Sequence, residues 1–311
     1  MILYPAILTY RGADFIVQVP HGANIYSMSE QLQEKKIISN KFAFISAGRL
    51  LYLINGGKFY IKSGEFRISN GMNYYEIVEL LASNRYNFRS ITVPEGLTVK
   101  QVVDILNQAK IPGDITINLT EGSLMPETYY YISTDTKDII LGRMMKDMDD
   151  FLSKSWKKNA NPMLKTKEEL ISFASIVEKE TGVEGERKIV SSVFTNRLAT
   201  GMRLQSDPTI IYEITKGETN FGRKITKSDI NFSTIYNTYK INGLPKYPIS
   251  CPGKSSILAS IAPAKTDFLY FVAVGDNSGR HIFAKNYQDH LVNVDKYRSN
   301  RVAREMAESN L

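Results

Sequence analysis

A chain of 311 residues, 43% hydrophobic and 23% charged, can bury two domain cores, and this composition excludes a disordered or fibrous protein. The net charge of +7 is compatible with nucleic acid, anionic lipid or an acidic polymer as partner. However, the lysines scatter, and the denser group Lys154, Lys157, Lys158, Lys165 and Lys167 accompanies no recognition-helix, RRM or zinc-finger pattern, so a solvated basic face and no nucleic acid are expected. Cys251 is the single cysteine, which excludes an intrachain disulfide, and its Ser-Cys-Pro-Gly context favours a small loop residue over a nucleophile. His21, His281 and His290 lie far apart without ligand spacing, so neither metal nor cofactor is expected.

The first ten residues, MILYPAILTY, are apolar but broken by Pro5, lack a basic start and fall short of the roughly 20 residues of a membrane span. Residues 1–13 are therefore expected to be a tail or the remnant of an N-terminal anchor, with an edge strand as the alternative. An internal repeat follows. VQVPHGANIYSMSEQL, FRISNGMNYYEIVELL and ITVPEGLTVKQVVDIL align on Gly22, Gly71 and Gly96. The same stripe recurs three, six and ten residues later: Ile25, Met28, Leu32; Tyr74, Ile77, Leu81; Val99, Val102, Leu106. Each unit reads as strand, tight turn and helix, with Pro20 and Pro94 fixing the turn. Residues 14–90 are expected to form a small module, 91–300 a larger domain and 301–311 a C-terminal tail; the fold class expected is α+β. Further on, Leu141, Met144, Met145, Met148, Phe151 and Leu152 make a helical stripe whose methionines fill a core.

The chemistry concentrates between Leu170 and Tyr212. Leu170, Phe173, Ala174, Ile176 and Val177 mark an amphipathic helix stopped by Gly182, with Glu178 and Glu180 on opposite borders of its apolar face and Lys179, Ser172 and Ser175 pointing away. A carboxyl on such a border is partly desolvated, holds its proton towards neutral pH and can act as a general acid. A surface salt bridge from Glu180 to Arg187 or Arg197 is the competing reading, and periodicity does not choose between the two glutamates. Glu184 and Glu186 favour the start of a second helix, with Ile189, Val190, Val193, Phe194 and Leu198 buried and Gly201 at its end. Arg197 beside this stripe is suited to holding Glu178, a substrate carboxylate or a neighbouring helix. LQSDPT reads as a turn that lets Gln205 and Asp207 face a cleft. YNTYKINGLPKYP reads as a loop, and FLYFVAV and HIFAKNY as strands of a hairpin joined by DNSGR.

The ordered run ASIVEKET, ER, VFTNRL, GMRLQSDPTIIY, YNTYKINGLP, PG and SIAPAKTDFLYFVA resembles the MltG/YceG-like endolytic murein transglycosylases, closely from about Ile91 onward and more loosely before it. The segment TEGSLMPETYYYI, with Glu121, Gly122, Pro126, Glu127, Thr128 and Tyr129, matches a family segment too, and its tyrosines suit stacking on a sugar or packing under the helix. The first two repeat units resemble a LysM-like module. The resemblance implies that Glu180, second glutamate of Glu-Lys-Glu-Thr, is catalytic. It also makes Gln205, Asp207, Asn237 and Tyr239 candidate substrate-binding residues, with Glu178 and Arg197 supporting. His281 and Phe283 match family positions, and His281 is expected to be structural. The chain departs from the family at Lys246 and Tyr247, where another proline or glycine is frequent.

The implied activity is endolytic cleavage of the MurNAc-GlcNAc β-1,4 bond with formation of a 1,6-anhydroMurNAc end, which terminates or trims nascent strands. Peptidoglycan and penicillin-binding polymerases are the implied partners, in the cell envelope, periplasmic or on the outer face of the inner membrane. The membrane anchor usual in that family is not seen in this sequence. A muramidase-type hydrolase using Asp207 as a second carboxylate and a non-catalytic peptidoglycan-binding scaffold are the alternatives.

Overall fold

The computed structural model describes residues 8–218 and 221–309, and for residues 307–309 the backbone only. The chain divides into two compact units: Met1–Ile91 with Tyr129–Thr136, and Thr92–Thr128 with Lys137–Leu311.

In the first unit, β1 (Phe15–Val19) is followed by α1 (Ile25–Glu34), α2 (Lys41–Ile54), β2 (Gly64–Ile68) and α3 (Tyr74–Ala82). The two strands pair antiparallel from Phe15↔Ile68 to Val19↔Gly64. Met28, Leu32, Phe44, Phe66, Ile77 and Leu81 fill the core beneath them. β3 (Arg89–Thr92) pairs with β4 (Thr128–Tyr131). Of the expected N-terminal tail, residues 1–7 lie outside the described residues, and at Thr9 and Tyr10 it is the edge-strand alternative that is seen, Thr9 bridging antiparallel to Asn73. The Tyr10 N–H donates to the Met72 carbonyl and the Gly71 N–H to the Tyr10 carbonyl, both at 2.8 Å, and the Tyr10 ring is buried in the core. An apolar edge paired at both backbone groups is part of the module.

The three repeat units share one local device. Gly22, Gly71 and Gly96 adopt φ of +78°, +87° and +76°, a region open to glycine at no steric cost. Two residues on, Asn24, Asn73 and Thr98 cap α1, α3 and α4 (Val99–Gln108), and the N3 residues Ser27, Glu76 and Gln101 return a bond to the cap backbone. The stripe residues six and ten after each glycine are fully buried.

In the second unit α4 is followed by α5 (Lys137–Trp156), α6 (Lys167–Glu180), a 3-10 turn at Glu184–Glu186, α7 (Arg187–Ala199), α8 (Asp207–Thr215), α9 (Lys227–Asn231), α10 (Lys254–Ile261), the hairpin β5 (Tyr270–Ala273) and β6 (His281–Ala284), and α11 (Tyr287–Ser309). The hairpin runs antiparallel from Tyr270↔Ala284 to Ala273↔His281. Mixed helices with small antiparallel sheets make the fold α+β. Residues 301–309 continue α11, correcting the expected tail, because Arg301 pairs with Glu305 one turn on and the helix has no breaker there.

α6 is the centre of this unit. Leu170, Phe173, Ala174, Ile176 and Val177 pack against Val190 and Phe194 of α7, Ile257 and Ile261 of α10 and Leu152 of α5. The expectation that Ser172 and Ser175 point to solvent is corrected, since both are buried. Ser172 Oγ donates to the Pro245 carbonyl at 2.9 Å, and Ser175 Oγ accepts from the Ile249 N–H at 3.0 Å. The loop after Tyr239 thus covers the polar side of α6, and its backbone groups satisfy the two hydroxyls that burial would otherwise penalise. Among the described residues no helix is long and apolar enough to cross a membrane.

Candidate active site

α6 ends at Glu180 because Thr181 turns extended (φ −144°, ψ 129°); Gly182 is not the stop, and it lacks the positive φ of a glycine cap. The last turn of α6 sends its two glutamates to different places. Glu178 Oε2 accepts the Gly253 N–H at 2.9 Å, and Oε1 lies 3.8 Å from Arg187, which is itself 3.6 Å from Glu95. Its side chain is 6% exposed, so Glu178 is a buried strut between α6, α7 and the start of α10. The expected alternative, in which Arg197 holds Glu178, is corrected: the partner is Arg187, the first residue of α7.

Glu180 points into the opposite side of the unit. Ser206 Oγ donates to Oε1 at 2.5 Å, and this is the only hydrogen bond of the carboxyl among the described residues. The residue as a whole keeps some exposure, but the carboxyl is deeply set, and burial pushes its pKa up to about 7. The nearby negative charge of Asp207 adds to the rise, while the Ser206 hydrogen bond and the positive charge of Arg197 oppose it. Such a group is partly protonated at neutral pH and able to give and take a proton.

Arg197 is 7% exposed. It donates to the carbonyls of Leu269 (2.7 Å) and Leu204 (2.6 Å), and its guanidinium lies over the Tyr270 ring with 5.4 Å to the centroid. It thereby ties α7 to β5 and to the turn preceding α8, and burial lowers its pKa. That turn is unusual in its backbone. Gln205 is a non-glycine residue at φ +53°, exposed, with its N–H bonded to the Thr238 carbonyl. The expected turn at Asp207-Pro208 is instead the start of α8, where proline is pre-organised for the first helical positions.

Asp207 is exposed, and its Oδ1 accepts the Tyr239 hydroxyl at 2.7 Å. Burial and this carboxylate push the Tyr239 phenol up. Glu180, Arg197, Asp207 and Tyr239 interact electrostatically and form one group. Asn237 is placed otherwise. It is 2% exposed; its amide nitrogen donates to the carbonyls of Ile230 and Phe232, and its amide oxygen accepts the Tyr239 N–H at 2.9 Å. With both amide hydrogens and the oxygen engaged, the Asn237 side chain organises the loop that presents Tyr239.

Two features are absent from the sequence-based site. Ser206, between Gln205 and Asp207, occupies the cap position of α8, and a serine directly before Asp-Pro is the signal that could have marked it. Glu121 is largely buried: it accepts from the Val99 N–H (2.9 Å) at the start of α4 and from the Tyr212 hydroxyl of α8 (3.1 Å), and burial pushes its pKa up. Cys251 lies beside it, fully buried, its thiol pushed up to about 12 by burial, which fits the small-loop-residue reading. His281 Nδ1 lies 2.8 Å from Glu186, and the His281 N–H donates to the same carboxylate, a tie between β6 and the start of α7.

Comparison with known proteins agrees with this architecture. A protein of Bacillus subtilis named endolytic murein transglycosylase is 27% identical over 92% of this chain and 85% of its own length. One of the same name from Streptococcus pneumoniae is 26% identical over 90% of this chain, which spans 58% of that longer protein. The crystal structure of a yceG-like protein from Listeria monocytogenes superposes with a TM-score of 0.56 at 30% identity, covering 90% of this chain and 98% of that one. Residues 17–296, well over half of the chain, match the YceG-like family, and the chain belongs to it.

Proposed function

We propose that this chain is an endolytic lytic transglycosylase of peptidoglycan, cleaving the MurNAc-GlcNAc β-1,4 bond and leaving a 1,6-anhydroMurNAc end. The observation that carries the reading is the Glu180 carboxyl: buried, held by one hydroxyl, with a pKa of about 7. The relatives named endolytic murein transglycosylase support it.

The reaction needs one group that first donates and then accepts a proton. Protonated Glu180 gives its proton to the bridging oxygen, the glycosidic bond breaks, and positive charge develops at C1 of MurNAc. The resulting carboxylate then takes the proton of the C6 hydroxyl as that oxygen bonds to C1. No water is consumed, and Glu180 ends protonated as it began. A pKa near neutrality suits both half-steps. The neighbouring Arg197 charge steadies the carboxylate between them. Gln205, Asp207 and Tyr239 are the proposed substrate contacts, with Asn237 acting through the loop it holds and Glu178 as a support of α6.

The first unit, a two-stranded antiparallel sheet with two helices between its strands, is proposed as a LysM-like module that contributes sugar contact. Work in the cell envelope, on nascent strands at the periplasmic or outer face of the inner membrane beside penicillin-binding polymerases and held there by a membrane anchor, completes the proposal. Mass spectrometry of fragments released from purified peptidoglycan tests it: anhydromuropeptides from the wild type and none from Glu180→Gln are expected. Reducing-end products would instead identify a hydrolase with Asp207 as second carboxylate, and binding without release would identify a scaffold.

A further inference from the structure

We infer that Ser206 is a positioning residue for the acid Glu180, assigning the transferable proton to Oε2 by occupying Oε1 as a hydrogen-bond donor. The inference deepens the transglycosylase reading and rests on it for the meaning of the proton, but not for its test.

The geometry supports it in three steps. First, Ser206 stands at the cap position of α8, where serine ordinarily turns its oxygen to the free N–H groups of the first turn. Here the hydroxyl makes no capping bond. It donates to Glu180 Oε1 instead. Second, Ser206 is itself clamped. Its N–H donates to Thr238 Oγ1 at 2.9 Å, its carbonyl accepts Thr209 Oγ1 at 2.7 Å, and the two threonine hydroxyls lie 3.0 Å apart. All three residues are buried, and the neighbouring Gln205 backbone is held at φ +53° by its own bond to the Thr238 carbonyl. A polar cluster of this kind, fully satisfied inside the unit, holds the donor in one direction.

Third, a hydroxyl that donates to one carboxyl oxygen leaves the acid proton to the other. A carboxylic acid has one proton, and an oxygen already accepting a short hydrogen bond is the poorer place for it. Oε2 accepts no hydrogen bond among the described residues, so the proton there is available to a bound glycosidic oxygen. The groups facing this carboxyl are Asp207 from α8, Arg197 from α7 and Tyr239 from the loop after α9; Glu178 on the same helix is turned to Gly253 and Arg187.

The test is carboxyl titration by NMR of the full chain carrying 13C-labelled glutamate, with Glu180→Gln assigning the signal, in wild type, Ser206→Ala and Ser206→Thr. Removing a donor to the carboxylate favours the protonated form, so in Ser206→Ala the Glu180 titration should move to higher pH by roughly one pH unit. Ser206→Thr, which keeps the hydroxyl, should return it towards the wild-type position. Because the hydroxyl makes no capping bond, Ser206→Ala should stay folded, as thermal melting checks. On peptidoglycan, turnover in Ser206→Ala should fall roughly tenfold with little change in KM, and the alkaline limb of the pH profile should move up with the titration. A Glu180 signal that titrates in Ser206→Ala where it does in the wild type overturns the inference. If the wild type releases no anhydro products, the transglycosylase reading fails while the titration still decides the hydrogen bond.

Discussion

Glu178 and Glu180 leave the same turn of α6 for opposite partners: Glu178 meets the Gly253 N–H and Arg187, whereas among the described residues the Glu180 carboxyl is hydrogen-bonded only by the hydroxyl of Ser206. Residues two apart on a helix are about 200° apart around its axis, so one faces the α7–α10 seam and the other the turn before α8. Burial therefore acts on them differently. The first is compensated by a cation and a backbone donor; the second has one neutral donor and a carboxylate neighbour, Asp207, with the charge of Arg197 a smaller opposing influence.

That difference has a measurable consequence for stability. The Glu180 pKa is raised from an ordinary 4.5 to about 7, so between these values the folded protein binds more protons than the unfolded chain and loses stability as pH rises. The span corresponds to about 3 kcal/mol. Glu180→Gln carries no such charge. The stability of Glu180→Gln relative to wild type should grow between pH 4.5 and pH 7, by up to that amount, and level off above pH 8, as read from denaturant unfolding. In the same variant glycan cleavage should disappear, and in the wild type activity should decline above about pH 7 as the acid form is lost.

Glu178→Ala removes the more buried of the two carboxylates beside the Arg187 guanidinium, leaving Glu95, and removes the partner of the Gly253 N–H as well. A loss of about 2–4 kcal/mol is expected, with the anhydro product unchanged in kind at temperatures where the variant is folded. Urea unfolding beside product analysis separates this strut from the acid.

Asn237→Ala and Tyr239→Phe should part in the same manner. The first leaves the carbonyls of Ile230 and Phe232 without their donor and should cost about 1–3 kcal/mol, seen as a lowered Tm. The second deletes only the bond to the exposed Asp207; it should change Tm little and lower kcat/KM on peptidoglycan.

Gly122 sits at φ +78°, and a Cβ there would come within 2.6 Å of the Ile171 side chain on α6 and 2.9 Å of Pro248. Gly122→Ala therefore meets both a backbone penalty and overpacking, and should destabilise by about 2–4 kcal/mol. Glu121 next to it loses its grip on Val99 and Tyr212 if this turn moves, so the variant should also lose cleavage before it unfolds, measured on a temperature series.

The repeat of strand, turn and capped helix was legible because it is local. Gly22, Gly71 and Gly96 need a left-handed backbone, the capping side chains stand at fixed offsets, and apolar stripes at helical spacing must be covered whatever covers them. The stretch from Leu170 to Glu180 was legible as a helix for the same reason. The burial of Ser172 and Ser175 was not, since a serine facing solvent and one facing a loop carbonyl have identical spacing; the loop residues Pro245 and Ile249 lie more than seventy positions away.

Sequence by itself determined the α+β class, the repeated capping turns, the helix carrying two glutamates and the family resemblance, all properties of neighbours along the chain or of an ordered motif. Tertiary structure alone decided that Arg187 rather than Arg197 neutralises Glu178, that Asn237 is consumed by its own loop, and that Ser206, a helix-cap serine by position, turns to Glu180. Each of those outcomes depends on which groups remain to solvate a buried charge once the helices have packed. Hydrogen bonding and desolvation are set by distance in space, which spacing in sequence does not specify.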